Sequence, residues 1–297
     1  MEEGLSFDQP CKICGTNKWT VLYHGPVRAG KFGQITEKPQ TVWKCNQCEV
    51  GFLDSPGIDY ESGNYRKMVD GSDTVEDFYK THDVEQLEKI KVIGTGTIRD
   101  QVIADIGCGA GSFLDLVKGY SSTTIGIEPQ RSYHSALIAK GHHVYDYCAE
   151  VPKEWWGKVD LAFCFSVIEH LDDPVDLLVQ VRKLLRTNGR LLISTPNLND
   201  WLLELLPDVY PSFFYRAVHQ WYFGESSLKK LAPLAGFSEV SAIYVHRFDL
   251  SNFLLWLRDR RPSGLGKLQI SPSLNTHFCR FLEETGQADY IYAWFVA

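Results

Sequence analysis

The stretch from 102 to 111 reads V-I-A-D-I-G-C-G-A-G and constrains the fold more than any other. A short apolar run ends in Asp105, glycines follow at 107, 109 and 111, and a helical pattern opens at Ser112. A parallel strand buried on both faces gives such a continuous apolar run, and strand, glycine turn and helix in that order open a βαβ unit. Glycine permits positive φ and lets a ligand approach the backbone, so the turn is expected to be the mouth of a small-molecule site.

The rest of the chain's second part keeps that rhythm. Strand patterns at 101–106, 124–128, 142–146, 159–165 and 190–195 alternate with helical ones at 111–118, 130–139 and 174–185. Asp172 or Asp173 can cap the last helix, with Pro174 at its first turn. This predicts an α/β, doubly wound, Rossmann-like sheet with helices on both faces. Beyond it come a long aromatic stretch at 196–224, a helix at 226–235, a strand at 239–246, a helix at 249–260 and a final strand at 289–296. Long segments at the C-terminal edge of such a sheet carry lids and substrate pockets.

The first hundred residues have a different character. Cys11-Lys-Ile-Cys14 and Cys45-Asn-Gln-Cys48 are two matching Cys-x-x-Cys units. Each brings two thiolates to one side of a tight loop, and together they predict a tetrahedral Zn²⁺ site in a small ribbon with strands at 19–23 and 40–44. Four cysteine ligands leave no open position, so the metal is expected to be structural. A polar loop follows, in which Tyr60 and Tyr65 are candidates to lean over the cofactor mouth. An amphipathic helix at 74–93 is expected to dock the ribbon on the next domain. The division is therefore a ribbon at 1–55, a loop and bridging helix at 56–100, and an α/β domain at 101–297 with acceptor-binding insertions at 196–224 and 247–288.

The glycine spacing argues against a dinucleotide. A dinucleotide turn reads G-x-G-x-x-G, but here the third glycine comes one residue early and Ser112 fills its place. Glu128 ends the second strand about twenty residues past the first glycine, where a carboxylate can accept both ribose hydroxyl protons. Four motifs in order, D-I-G-C-G-A-G, G-I-E-P, D-L-A-F-C-F-S-V-I-E-H-L and N-G-R-L-L-I-S-T-P-N, resemble those of class I S-adenosylmethionine-dependent methyltransferases over roughly 101–245. The segments 159–171 and 219–223 look most like the small-molecule branch, whose members with a cysteine-rich ribbon often modify sugars or natural-product intermediates.

The resemblance implies a seven-stranded sheet with one antiparallel strand, which 289–296 would supply. It also implies that Asp105 and the turn of Gly107, Cys108, Gly109 and Gly111 hold the methionine part, and that Glu128, followed by Pro129, holds the ribose. Tyr147, Cys148 and Ala149 would flank the adenine, and Ser166 would lie beside the sulfonium. Sugar C-methyltransferases with a similar ribbon continue into a further domain that 297 residues do not accommodate. C-methylation of a deoxysugar is therefore not expected, and transfer to oxygen is expected ahead of nitrogen.

Methyl transfer to a hydroxyl needs an aligned acceptor and a base, and histidine suits the base. His170 and His219 are the candidates, with His219 favoured because it lies in the aromatic segment where acceptors bind. Glu169 and His170 alone make a poor divalent site, so a catalytic metal ion is not expected. Arg216, Arg247, Lys229 and Lys230 could bind an acceptor phosphate or carboxylate, and Trp201, Tyr210, Phe213, Phe214, Tyr215, Trp221 and Tyr222 could line its pocket.

A net charge of −7 argues against a general phosphate-backbone binder, so a small-molecule acceptor and no nucleic acid are expected. Neither a signal-peptide pattern nor an apolar run long enough to span a bilayer is present, so a cytoplasmic enzyme without a membrane partner is expected. The oligomeric state is left open. The alternatives are transfer to nitrogen of an amino sugar, or a non-catalytic module in which the ribbon recruits a partner and the α/β domain senses cofactor.

Overall fold

A computed structural model describes residues 5–30, 33–54, 67 and 71–297. Tyr60 and Tyr65 lie outside the described residues. Three ribbon strands, β1 (Trp19–Gly25), β2 (Gln40–Cys45) and β3 (Gly51–Leu53), pair antiparallel. The larger sheet contains β4 (Val102–Ile106), β5 (Thr123–Ile127), β6 (His143–Tyr145), β7 (Val159–Phe165), β8 (Leu185–Pro196), β10 (Glu239–Val245) and β11 (Tyr290–Val296). A two-residue strand, β9 (Trp221–Tyr222), belongs to the ribbon sheet instead.

The seven strands run in the order β10-β11-β8-β7-β4-β5-β6, with β11 antiparallel to both neighbours and the expected doubly wound core around β4. Ile103, Ala104 and Ile106 of β4 are buried, as a strand covered on both faces requires. Chain direction across the sheet reverses between β4 and β7, and a crevice at such a switch point is where open α/β sheets bind ligands. Asp173 caps the helix Pro174–Leu184, accepting from Val175 N at 2.9 Å and Asp176 N at 3.0 Å. Asp172 does something else: its carbonyl accepts from Lys12 Nζ at 2.7 Å and its carboxylate from Gln220 Nε2 at 2.8 Å, tying ribbon to sheet.

The ribbon is docked by its own sheet. β3 pairs with β9, a segment of the α/β part, and Phe52 packs on Trp221 with ring centroids 4.8 Å apart. The helix Val75–Ile93, expected as the dock, seals the glycine turn instead. Tyr79 Oη donates to Ala110 O at 2.8 Å, Ser112 Oγ donates to Asp83, and Phe78 covers Gly109. The helix Pro272–Glu284 was not anticipated from the pattern at 247–288; Ser271 caps it, accepting from Leu274 N at 3.3 Å. Among the described residues, no helix is long and apolar enough to cross a membrane.

Candidate active site

A cavity of about 630 Å³ opens at the C-terminal ends of β4, β5, β7 and β8, and its lining divides into two halves. The first half is built by the glycine turn. Gly107, Gly109 and Gly111 have φ of +72°, +55° and +88°, a region other residues enter only with strain. Space is equally restrictive: a Cβ would lie 2.4 Å from Val167 at Gly107, 2.3 Å from Phe78 at Gly109 and 2.3 Å from Leu137 at Gly111.

Glu128 is oriented by that turn. It accepts from Gly109 N at 2.7 Å and Gln130 N at 2.9 Å. A carboxylate can accept about four hydrogen bonds, so two backbone donors aim it without exhausting its capacity. Asp105 is buried, and desolvation raises its pKa to about 7, against the pull of Lys89. Lys89, itself buried, bonds to Glu85 Oε1 at 3.1 Å and lies 4.6 Å from the Phe165 ring.

Gly107, Cys108, Pro129, Tyr147 and Ser166 line the cavity beside Asp105 and Glu128. Gly109 and Gly111 shape the turn from behind and are not themselves in the lining. Of the three residues expected to flank the adenine, Tyr147 lines the cavity and Cys148 and Ala149 do not. Cys148 turns into the core beneath the sheet and Ala149 faces solvent, because Cys148–Glu150 form a 3₁₀ turn that points only Tyr147 at the cavity. The helix Val75–Ile93 contributes Phe78, His82, Gln86 and Lys89, which sequence reasoning did not assign to the site. Their polar members read as a solvated helix face.

The second half is assembled from distant segments. Glu169 and His170 sit on the 3₁₀ turn Ile168–His170 after β7, and His219 approaches from just before β9. The two imidazoles meet edge to face with centroids 4.6 Å apart. His170 Nδ1 is 2.8 Å from Val218 O, so it carries the proton and Nε2 is the basic nitrogen. His219 Nε2 faces Arg216 Nη1 at 3.4 Å, and burial, with His170 and Arg216, holds its pKa well below the usual range. Glu169 is buried with its pKa raised to about 7 by desolvation, and its Oε2, like His219 Nδ1, has no protein partner.

The aromatic expectation separates in the same way. Tyr210, Phe213 and Phe214 line the cavity. Trp201 stacks on Phe253 at 5.3 Å, Tyr215 on Tyr23 at 5.4 Å, and Trp221 and Tyr222 are buried at the ribbon junction. Arg28 of the ribbon reaches this half unannounced, as do Asp289 and Tyr290 of the last strand's start.

Two metal-compatible groups result. The sulfurs of Cys11, Cys14, Cys45 and Cys48 lie within 4.8 Å of one another, with Cys11–Cys48 at 3.6 Å and Cys14–Cys45 at 3.4 Å. Thiolates 2.3 Å from a tetrahedral zinc are about 3.8 Å apart, so the donor set fits. Gly15 takes the left-handed position after the first pair, and Glu49, with φ of +63°, takes it after the second. Gly51, two residues further on, begins β3. The second group is Glu169, His170 and His219. His219 thus joins the pair that the sequence left with only two ligands.

A seven-stranded sheet with one antiparallel strand, and a switch-point cavity floored by a glycine turn and a strand-end acid, define the class I S-adenosylmethionine-dependent methyltransferases. Residues 87–242, just over half of the chain, match the family described as a methyltransferase domain, and the chain belongs to that family. The tRNA U34 carboxymethyltransferase of Campylobacter lari is 29% identical over 162 residues, 51% of this chain and 54% of that one. The ubiquinone biosynthesis O-methyltransferase of Thiobacillus denitrificans is 24% identical over 160 residues, 46% of this chain and 66% of that one. The chain therefore spans about half to two thirds of the length of these curated relatives. The crystal structure of an S-adenosylmethionine-dependent methyltransferase from Archaeoglobus fulgidus shares the fold, with a TM-score of 0.50 at 17% identity over 80% of this chain and 100% of that one.

Proposed function

We propose that the protein transfers a methyl group from S-adenosylmethionine to a hydroxyl of a small polar acceptor, a nucleotide-linked or phosphorylated sugar or a related metabolite. One observation carries this reading: a single cavity joins Asp105, Gly107 and Glu128 to His170 and His219. S-adenosylmethionine, when bound, supplies an electrophilic methyl on a sulfonium. Asp105 would pair with its ammonium group, Glu128 would accept from its ribose hydroxyls, and Tyr147 would flank its base. A net charge of −7 favours a small molecule over the tRNA in the Campylobacter protein's name, and the Thiobacillus name gives transfer to oxygen a precedent.

In-line displacement draws most of its rate from positioning and exclusion of water. The helix Val75–Ile93 and the aromatics Tyr210, Phe213 and Phe214 wall the cavity for that purpose. His170 is the better base. Its Nδ1–H is committed to Val218 O, so Nε2 can take the hydroxyl proton, whereas His219 presents Nε2 to a guanidinium. The slight preference for His219 drawn from the sequence is thereby reversed. Zinc on the four cysteines would hold the ribbon in shape, and a reducing, cytoplasmic compartment would keep the thiols available to it.

A second reading is supported by the third ligand at Glu169, His170 and His219. A divalent cation there would orient the acceptor oxygen in place of a histidine base. Both versions are tested by methyl transfer from labelled S-adenosylmethionine to a panel of phosphorylated sugars, with and without chelator. With the zinc content of the four cysteines checked to be unchanged, turnover that survives chelation and is lost in His170→Ala supports the base; turnover that is lost and returns only with an added divalent cation supports the cation.

A further inference from the structure

The basic side chains near the acceptor half are sorted by their partners. Lys229 pairs with Glu225 at 2.7 Å, Lys230 donates to Gln47 O at 2.6 Å, and Arg247 grips Asp289 at 2.7 and 2.8 Å. Arg28 and Arg216 have no carboxylate partner among the described residues, although both line the cavity and both Nε atoms are buried without a hydrogen-bond acceptor. Glu169 shares the cavity but forms no ion pair with either.

Their proximity is fixed by the backbone. Arg28 N donates to Tyr215 O at 2.9 Å, and Ala217 N donates to Arg28 O at 2.9 Å, so the two arginines run side by side from different halves of the chain. The Phe213 ring lies 4.9 Å from the Arg28 guanidinium. Desolvation, followed by the charge of Arg216, pulls the Arg28 pKa down to about 10. Two like charges held side by side, half-buried and with Glu169 near Arg216 as the one carboxyl among the described residues whose charge acts on the pair at short range, are unfavourable unless a further anion compensates them. A phosphate monoester carries about −1.5 to −2 at neutral pH with three acceptor oxygens. That matches two guanidinium forks, whereas a carboxylate brings half the charge.

We propose that Arg28 and Arg216 form a clamp for a phosphate group of the acceptor, so that the ribbon supplies half of the acceptor's anchor. Naming the bound molecule the acceptor rests on the methyl-transfer reading, whereas the phosphate site does not. The clamp makes the ribbon part of substrate recognition rather than an appendage.

Calorimetry on the full chain tests the clamp, with inorganic pyrophosphate, acetate and S-adenosylhomocysteine titrated separately into wild type, Arg28→Gln and Arg216→Gln. Pyrophosphate should bind wild type and weaken by about tenfold or more in each variant, while S-adenosylhomocysteine stays within about twofold. In the unmutated protein, pyrophosphate should slow dicarbonyl modification of Arg28 and Arg216, mapped by mass spectrometry, which guards against a variant that misfolds. No pyrophosphate binding, equal binding in the variants, or acetate binding as tightly would overturn the clamp. A parallel loss of S-adenosylhomocysteine would also overturn it, by assigning the pair to the cofactor's carboxylate. If S-adenosylhomocysteine fails to bind wild type while pyrophosphate binding depends on both arginines, the methyl-transfer reading falls and the phosphate site stands.

Discussion

The two halves of the cavity are built by opposite strategies. The cofactor half is centred on short consecutive stretches, Asp105 to Ser112 at the end of β4 and Glu128 to Gln130 at the end of β5, with the helix Val75–Ile93, Tyr147 and Ser166 added around them. The acceptor half draws Arg28 from the ribbon, His170 from the end of β7, His219 from the approach to β9 and Tyr290 from β11. A site made of neighbours can be specified by one turn and its glycines. A site made of strangers depends on every element that brings them together, the cysteine ribbon included. On the proposed reading, the second half is where a specific acceptor is chosen.

Perturbing each half should separate binding of cofactor from turnover. The largest effect is expected in His170→Ala, where loss of general-base help lowers kcat by about 10²–10⁴-fold and leaves S-adenosylhomocysteine affinity unchanged. Removing zinc, or Cys45→Ser, should come next. With the knuckle open, β3 loses its hold on β9 and Arg28 leaves the cavity wall, so turnover falls by roughly a hundredfold while cofactor affinity changes only a few-fold. Metal content, circular dichroism and a cofactor titration on the same sample check this.

Gly109→Ala reverses the pattern. A Cβ 2.3 Å from Phe78 at a φ of +55° adds a clash to about 1–2 kcal/mol of backbone strain, so S-adenosylhomocysteine should bind about 30-fold more weakly by calorimetry. The smallest effect is on pH. Asp105, with its pKa raised to about 7 by burial, is protonated below that pH in the free protein. Pairing with an ammonium group favours its charged form, so binding must expel a proton in acid. Affinity should fall by up to about tenfold for each pH unit below 7 and be flat above it. Pyrophosphate affinity for the arginine pair should not follow that profile.

The same contrast decides what could be read from the sequence. The cysteine pairs, the β4 turn and Glu128 are local patterns whose spacing carries their geometry, and all appear where spacing placed them. Of Tyr147, Cys148 and Ala149 only Tyr147 lines the cavity, because the chain leaves β6 in a 3₁₀ turn that changes the direction of successive side chains. Lys89 and Gln86 were hidden because a polar helix face looks solvated, yet both are buried against the cavity. Arg28 carries no signal at all as one arginine in a turn-rich segment; only the backbone bridge to Arg216 reveals it. The helix Pro272–Glu284 did have one, in Ser271 and Pro272 at its start.

The most direct measurement is calorimetric titration of S-adenosylhomocysteine into wild type and Glu128→Ala. Glu128 is held by Gly109 N and Gln130 N in position to take ribose hydroxyls, and losing charged hydrogen bonds of about 1.5–3 kcal/mol each should weaken binding by about a hundredfold. Saturable binding to wild type with that loss in the variant is the expected result. No binding to wild type, or the same affinity in Glu128→Ala, would contradict a cofactor site at the glycine turn.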